Sequence, residues 1–348
     1  MEDMKLILAA SKDARRAYDL VRNLQNRFVT KLNILSQNIG EKKDFQEVTW
    51  LRDEGVHGGG SRFEFSDEKL FNTGSVNVSQ VHYDDMPEKK LTSATAISTI
   101  IHPRNPNVPS FHMHISLTEL RDGTAYWRLM ADLNPSIYNE HDKNVFDVAL
   151  SNVAEDLYEE GSKQGDLYFN IPALERHRGV SHFYLENYKT DNKKADEEFA
   201  QKFGEGIIDS YIEIITDAFK NRASCSSKEI RSQLEYHTLY LFQVLTLDRG
   251  TTAGLLIHNQ NDLGIMGSLP SYVDRELLRS WAQRVESPQD TLVNELVEAI
   301  NIGGEIDAPT KIKLAQVVRS HYKNYPEALK MQAKGETIPS TVDNHSKP

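Results

Sequence analysis

The sequence predicts an α+β fold, a mostly antiparallel β-sheet with a few long helices packed on it, and three observations carry that prediction. Apolar residues recur with helical spacing in three long stretches. Between them the period drops to two. The strand-like runs also follow one another in groups, without the regular strand and helix alternation of a doubly wound sheet.

The first stripe covers 11–37, where Ala14, Tyr18, Val21, Leu24, Phe28, Leu32 and Leu35 fall on one helical face and Ser11 is placed to cap the N-terminus. Strand-like runs follow at 61–65, 76–83, 96–102 and 111–117, the last of which alternates strictly. A second helix is expected over 142–160, with Val145, Ala149, Val153 and Leu157 aligned, then strands at 166–171 and 181–188. The third helix, over 195–220, lines up Phe199, Phe203, Ile207, Tyr211 and Ile215, and further strands are expected at 239–247 and 254–258. A modest helix near 309–325 precedes a polar tail. We expect an N-terminal helix (1–40) forming one unit with a main domain (41–300), a helical extension (301–332) and a disordered tail (333–348).

The chain has 348 residues, 39% of them hydrophobic, enough for a substantial core. Forty basic against fifty-one acidic residues give a formal charge of −11, which argues against a general nucleic-acid surface. An anionic ligand would have to be held by local arginines. The single cysteine, Cys225, excludes an intramolecular disulfide, a cysteine zinc site and an iron–sulfur cluster within one chain. Residues 1–10 are too short an apolar patch for a secretion signal, and no later stretch is apolar enough to span a bilayer, so a cytoplasmic protein is expected.

The densest polar stretch is 100–114. Pro103, Pro106 and Pro109 make a rigid loop suited to a pocket wall. In the strand that follows, His112, His114 and Ser116 share one face, opposite Met113 and Ile115. Three readings are open: a solvated polar face, the lining of a cleft, or a His-x-His metal site whose third ligand would come from His82, His102 or Asp132. Asp132, at the end of an apolar strand, either caps a turn or offers a carboxylate to N–H donors in a cleft. Arg178 before Gly179, and Arg249 before Gly250, are expected at strand ends, where a guanidinium makes a good carboxylate fork. The glycines at 58–60 lack the Lys-Ser/Thr ending of a phosphate-binding loop and open no helix, which excludes that reading.

Taken in order, GGGSRF (58–63), GSVNVSQVH (74–82), IIHPRNPNVPSFHMH (100–114), ADLNP (131–135), DLYFNIP (166–172), HRGVSHFYLENY (177–188), FGEGIIDSYIEII (203–215), LTLDRGTTAGL (245–255) and GSLPSYV (267–273) resemble the oxygen-dependent coproporphyrinogen III oxidases over roughly 50–288. That resemblance implies a large, flat antiparallel sheet flanked on both faces by helices, and a homodimer. It also implies an enzyme of haem and porphyrin biosynthesis that uses molecular oxygen without a metal or organic cofactor. Two propionates of a tetrapyrrole, coproporphyrinogen III, would become vinyls, giving protoporphyrinogen IX. By position, the resemblance assigns His112, Asp132 and Arg178 to catalysis, with Asp132 expected at the pyrrole nitrogens. Arg178 and Arg249 would hold propionates. Ser93, Asn105, His114, Arg128, Gly250 and Thr251 would complete the substrate-binding wall, with Arg128 a candidate to replace a missing arginine. The chain departs from the family pattern at Ser116, where an arginine is usual, at His114 (asparagine), at Arg128-Leu129-Met130 (three glycines) and at Glu186-Asn187 (two aspartates). These departures motivate the alternative of a homologue that binds a tetrapyrrole or another poly-carboxylate without decarboxylating it.

Overall fold

The computed structural model describes residues 5–39, 43–66, 69–258, 260–337 and 341–345. Part of the N-terminal patch (1–4) and of the tail (338–340 and 346–348) lies outside them.

Helix α1 (Lys12–Ile39) leads into a meander of β1 (Gln46–Leu51), β2 (Gly58–Phe65), β3 (Phe71–His82), β4 (Leu91–Pro103), β5 (Ser110–Leu120) and β6 (Ala125–Asn134). Helices α2 (Glu140–Ala154) and α3 (Tyr158–Phe169) come next, then the short strands β7 (Asn170–Ile171) and β8 (Arg176–His177), the strand β9 (Ser181–Tyr188) and α4 (Lys193–Asn221). The C-terminal part is helical: α5 (Ser227–Thr246), α6 (Arg249–Ile257), α7 (Asp262–Ile265), α8 (Arg275–Trp281), α9 (Gln289–Ala299) and α10 (Ala308–Asn324). The strands form one seven-stranded antiparallel sheet in the order β1-β2-β3-β4-β5-β6-β9. The fold is α+β, as expected.

Registry sorts the side chains into two faces. Val78, Ile97, Ile115 and Leu129 stand in one cross-strand row, with Val76, Met113, Ala131 and Phe183 in the next. This apolar face packs against α1, α2 and α4 in the larger core. Leu24, Phe28 and Leu32 of α1 are fully buried there, each contributing about 1.5–3 kcal/mol. Gln25 is buried on α1 although polar; its amide donates to the carbonyls of Ser61 (2.9 Å) and Val76 (2.8 Å) and ties the helix to the β2–β3 pair.

The opposite face is polar. One row reads Arg62, Asn77, Ser98, His114, Met130 and Tyr184, and the neighbouring row reads Ser75, Ile100, His112, Asp132 and His182. Helices α5 to α10 cover this side with their own apolar core, which meets the sheet at Ile100. Helix α3 runs along the β9 edge.

Two strand expectations are corrected. Residues 239–247 belong largely to α5 and 254–258 largely to α6. In α5 every residue from Tyr236 to Thr246 is buried. A helix buried all round carries no amphipathic stripe, so its short apolar run cannot be told from a strand by period. Residues 166–169 likewise close α3, and only Asn170–Ile171 is strand. The expected second helix breaks at Glu155, whose positive φ of 49° separates α2 from α3. In the tail, Ala333 donates to the carbonyl of Leu247 (2.9 Å) and the Glu336 N–H to Gln164 (2.7 Å). Among the described residues no helix is long and apolar enough to cross a membrane.

Candidate active site

Between the polar sheet face and helices α5 to α7 lies a cleft of about 970 Å³ including its open mouth. Strands β3 to β6 form its floor because odd-numbered residues of β3 and even-numbered residues of β4, β5 and β6 point this way, and Tyr168, Tyr240 and the start of α6 form its walls.

At the centre of the floor, His112 and Asp132 are directly opposed on β5 and β6. The His112 ring Nδ1 is 2.6 Å from Asp132 Oδ1. Arg178 Nη2 donates to Asp132 Oδ2 (2.7 Å), as does the Asn134 amide (2.6 Å). Arg178 Nη1 donates to Gln243 on α5 (2.6 Å), and its guanidinium lies 4.5 Å from the Phe169 ring centroid and 5.1 Å from that of Tyr240. Asp132 is 0% exposed and Arg178 2%. The His112 side chain is 15% exposed and opens on the cleft. Burial pushes the Asp132 carboxyl up, but the Arg178 guanidinium, His112 and their hydrogen bonds outweigh it and hold the group well below the usual carboxylate range. The aspartate is therefore an anion, and it fixes His112 with Nδ1–H toward it and Nε2 left for the cleft.

A second charged pair lies on the same floor. Arg128, in register with Ser116, donates Nε (2.6 Å) and Nη2 (2.8 Å) to the two oxygens of Glu186, which also accepts from the Tyr184 hydroxyl. His114 bonds Ser116 Oγ (3.0 Å); burial, then the Arg128 and His112 charges, push its pKa well down, so it is neutral. At the wall, Asp248 caps α6 by accepting from the Thr251 N–H (2.6 Å) and also accepts from the Tyr168 hydroxyl (2.9 Å).

Of the residues singled out from the sequence, His112, His114, Arg128, Arg178, Gly250 and Thr251 line this cleft. Asp132 sits beneath it with both oxygens occupied, so a ligand N–H would have to displace one of its partners. Ser93 is turned to the other side of the sheet, where it donates to Glu119 (2.7 Å), because odd-numbered residues of β4 face α1. Asn105 donates to the Arg222 carbonyl (2.7 Å), so the proline loop leans on the end of α4 and does not wall the cleft. Arg249 opens a helix, with Nη1 3.4 Å from the Leu329 carbonyl, and is not among the lining residues. Two of the candidate third metal ligands are engaged elsewhere, His82 with the Ile7 carbonyl (3.1 Å) and His102 with Ser110 (3.0 Å), and the third, Asp132, is taken up by His112, Arg178 and Asn134. Among the described residues no three His, Cys, Asp or Glu side chains are grouped to hold a metal ion.

Sequence reasoning missed Asn77 and Ser98 on the floor, Tyr168 on the wall, and Tyr240 and Gln243 beside Arg178. The first two had a signal, since polar residues alternate with valine and isoleucine along β3 and β4. Tyr240 and Gln243 had none at short range, because uniform burial hid their helical setting, and Tyr168 fell in a run read as a strand.

Residues 16–301 match the family Coproporphyrinogen III oxidase. An oxygen-dependent coproporphyrinogen-III oxidase of Prochlorococcus marinus (strain MIT 9301) is 27% identical over 298 residues, taking in 72% of this chain and 82% of that protein. The Drosophila melanogaster protein of the same description is 27% identical over 301 residues, 79% of this chain and 75% of its own length. The mitochondrial one of Mus musculus is 25% identical over 287 residues; the match covers 74% of this chain but only 61% of the mouse protein.

Proposed function

Because this chain belongs to the coproporphyrinogen III oxidase family, we propose that it converts two propionates of coproporphyrinogen III to vinyls, with dioxygen as co-substrate and no metal or organic cofactor. In balanced form, each –CH2–CH2–COOH arm and one O2 give –CH=CH2, CO2 and H2O2. The C–H bond next to the pyrrole supplies the electron pair that reduces dioxygen, and the electrons of the broken bond to the carboxyl group become the new double bond.

The observation that carries this reading is the buried ionic chain Arg178–Asp132–His112, which ends in an imidazole nitrogen on the cleft floor. A reduced pyrrole is electron-rich, and withdrawing its N–H proton toward His112 Nε2 raises its electron density further. The positive charge that then develops on the ring is stabilised by Asp132 in a site shielded from water. Asp132 thus acts through His112. Arg178 keeps the carboxylate ionised and oriented, and Arg128, held by Glu186, supplies the guanidinium nearest Ser116 for an acidic arm of the substrate. The remaining work is holding the macrocycle against the floor, which sets the reacting arm beside dioxygen.

The test is turnover of coproporphyrinogen III by the purified chain in air and under anaerobic conditions, read by fluorescence after oxidation to the porphyrin. Product in air alone is expected, and Asp132→Ala should lower kcat by about 10²–10⁴-fold. A folded chain that shifts a porphyrin spectrum on titration but yields no product would overturn the oxidase reading and leave a tetrapyrrole binder.

A further inference from the structure

Arg178 is held in place by a side chain that the catalytic reading does not use. His182, on β9 directly opposite Asp132, is 4% exposed. Its Nε2 lies 2.6 Å from the backbone carbonyl of Arg178, and its Nδ1 lies 2.7 Å from Oδ1 of Asp166 on α3. A carbonyl and an ionised carboxylate can only accept. Asp166 is ionised: its hydrogen bond from His182 outweighs burial and lowers its pKa. Both ring nitrogens must then carry hydrogen, which makes the ring a cation that donates at each end.

The surroundings are built around this ring. A Cβ on Gly165 would lie 2.7 Å from the His182 Cβ, so only glycine lets α3 approach closely enough to bring Asp166 to Nδ1. The ring also packs on Phe169 (centroids 5.2 Å apart), the same ring that lies under the Arg178 guanidinium. The Arg178 N–H donates to the Phe169 carbonyl (3.0 Å), so both backbone groups of Arg178 are anchored.

We propose that His182 is a positioning residue, a buried imidazolium that pins the Arg178 backbone between α3 and β9 and so sets the geometry of Asp132 and His112. This rests on the reading of the cleft given above. The titratable and charged groups around the ring are Asp166 from α3, with Lys143 of α2 acting on it, His177 from β8, and Asp132 across the strand pair on β6. Asp166 has a side chain 60% exposed, so it joins the buried chain to solvent. Losing its charge leaves the imidazolium without its counter-ion, and the ring then deprotonates and gives up one of its two bonds.

The experiment uses the full chain labelled with ¹⁵N-histidine. At pH 7 the His182 signals, identified as the pair missing from His182→Gln, should show both ring nitrogens protonated. Asp166→Asn, an exposed and structurally mild change, should leave His182 a neutral tautomer at pH 7. Its kcat at pH 7 should fall about tenfold, with KM within twofold of the parent. A neutral His182 tautomer at pH 7 in the parent chain overturns the proposal, as does a doubly protonated ring in Asp166→Asn. If the parent shows no turnover, the functional reading falls, and the NMR arm still decides the protonation state of His182.

Discussion

Taking a carboxylate fully out of water costs several kcal/mol unless its partners offset it, and Asp132 has three, in His112, Arg178 and Asn134. The arrangement is asymmetric under mutation. Arg178→Met should destabilise the chain by about 3–5 kcal/mol, because it strands a buried charge, whereas adding Asp132→Asn should recover part of that loss. Urea denaturation of the single and double variants checks this. A single variant costing less than about 1 kcal/mol would mean that Asp132 finds water or another cation. His112 and Asp132 were both picked out from the sequence as functional candidates. That they touch each other was not legible, because a sequence does not say which strand pairs with which, or in what register.

Helix α3 has little freedom to change where it meets β9. A Cβ on Gly161 would lie 2.1 Å from the Phe183 ring and one on Gly165 2.7 Å from His182, and neither neighbour can retreat from a packed core. Gly161→Ala should therefore cost about 1–3 kcal/mol through overpacking. If His182 pins the Arg178 backbone as proposed, this substitution should also reduce kcat at saturating substrate. Thermal melts beside steady-state assays test both, and an unchanged melting temperature would show that α3 can slide along β9. Period-two alternation exposed β2, β3, β4, β5 and β9, and helical stripes exposed α1, α2 and α4. Both signals exist only where an element has one wet or polar face. Helix α5 has neither, and its residues from Leu239 onward looked like a strand for that reason.

For the whole molecule, the sheet divides an apolar layer under α1, α2 and α4 from a polar one under the C-terminal helices, and the polar layer carries the pH sensitivity. His237 and His102 are buried beside one another there. Burial, then the Arg104 charge, brings His237 down to about 3, and burial, then the His237 and Arg178 charges among others, puts His102 well below its usual value. Both are neutral in the folded state. An unfolded histidine binds its proton near pH 6.5, so between about 6.5 and 3 the unfolded chain holds more protons and stability falls as pH falls. Each ring contributes at most about 1.4 kcal/mol per pH unit in that window. Denaturant midpoints should decline steadily from pH 6.5 to 4.5, and His237→Gln should flatten the slope. Stability that stays level across that range would place these rings in contact with water.

The sequence by itself determined the α+β class, most of the strands, helices α1, α2 and α4, the family, and the two strand residues at the heart of the cleft. The class and the elements rest on period, which short-range sterics and one-sided burial impose on any chain, and the family and those two residues rest on the ordered motifs that resemble it. Only the tertiary structure decided that Asp132 lies buried beneath His112. It also decided that Arg178, 46 residues along the chain from Asp132 and 65 from Gln243, locks the carboxylate, and that Ser93, Asn105 and Arg249 turn elsewhere. Those outcomes depend on which buried charges find partners across the fold. No local pattern encodes that choice, because the cost of leaving a charge unpaired arises only once the layers close and water is gone.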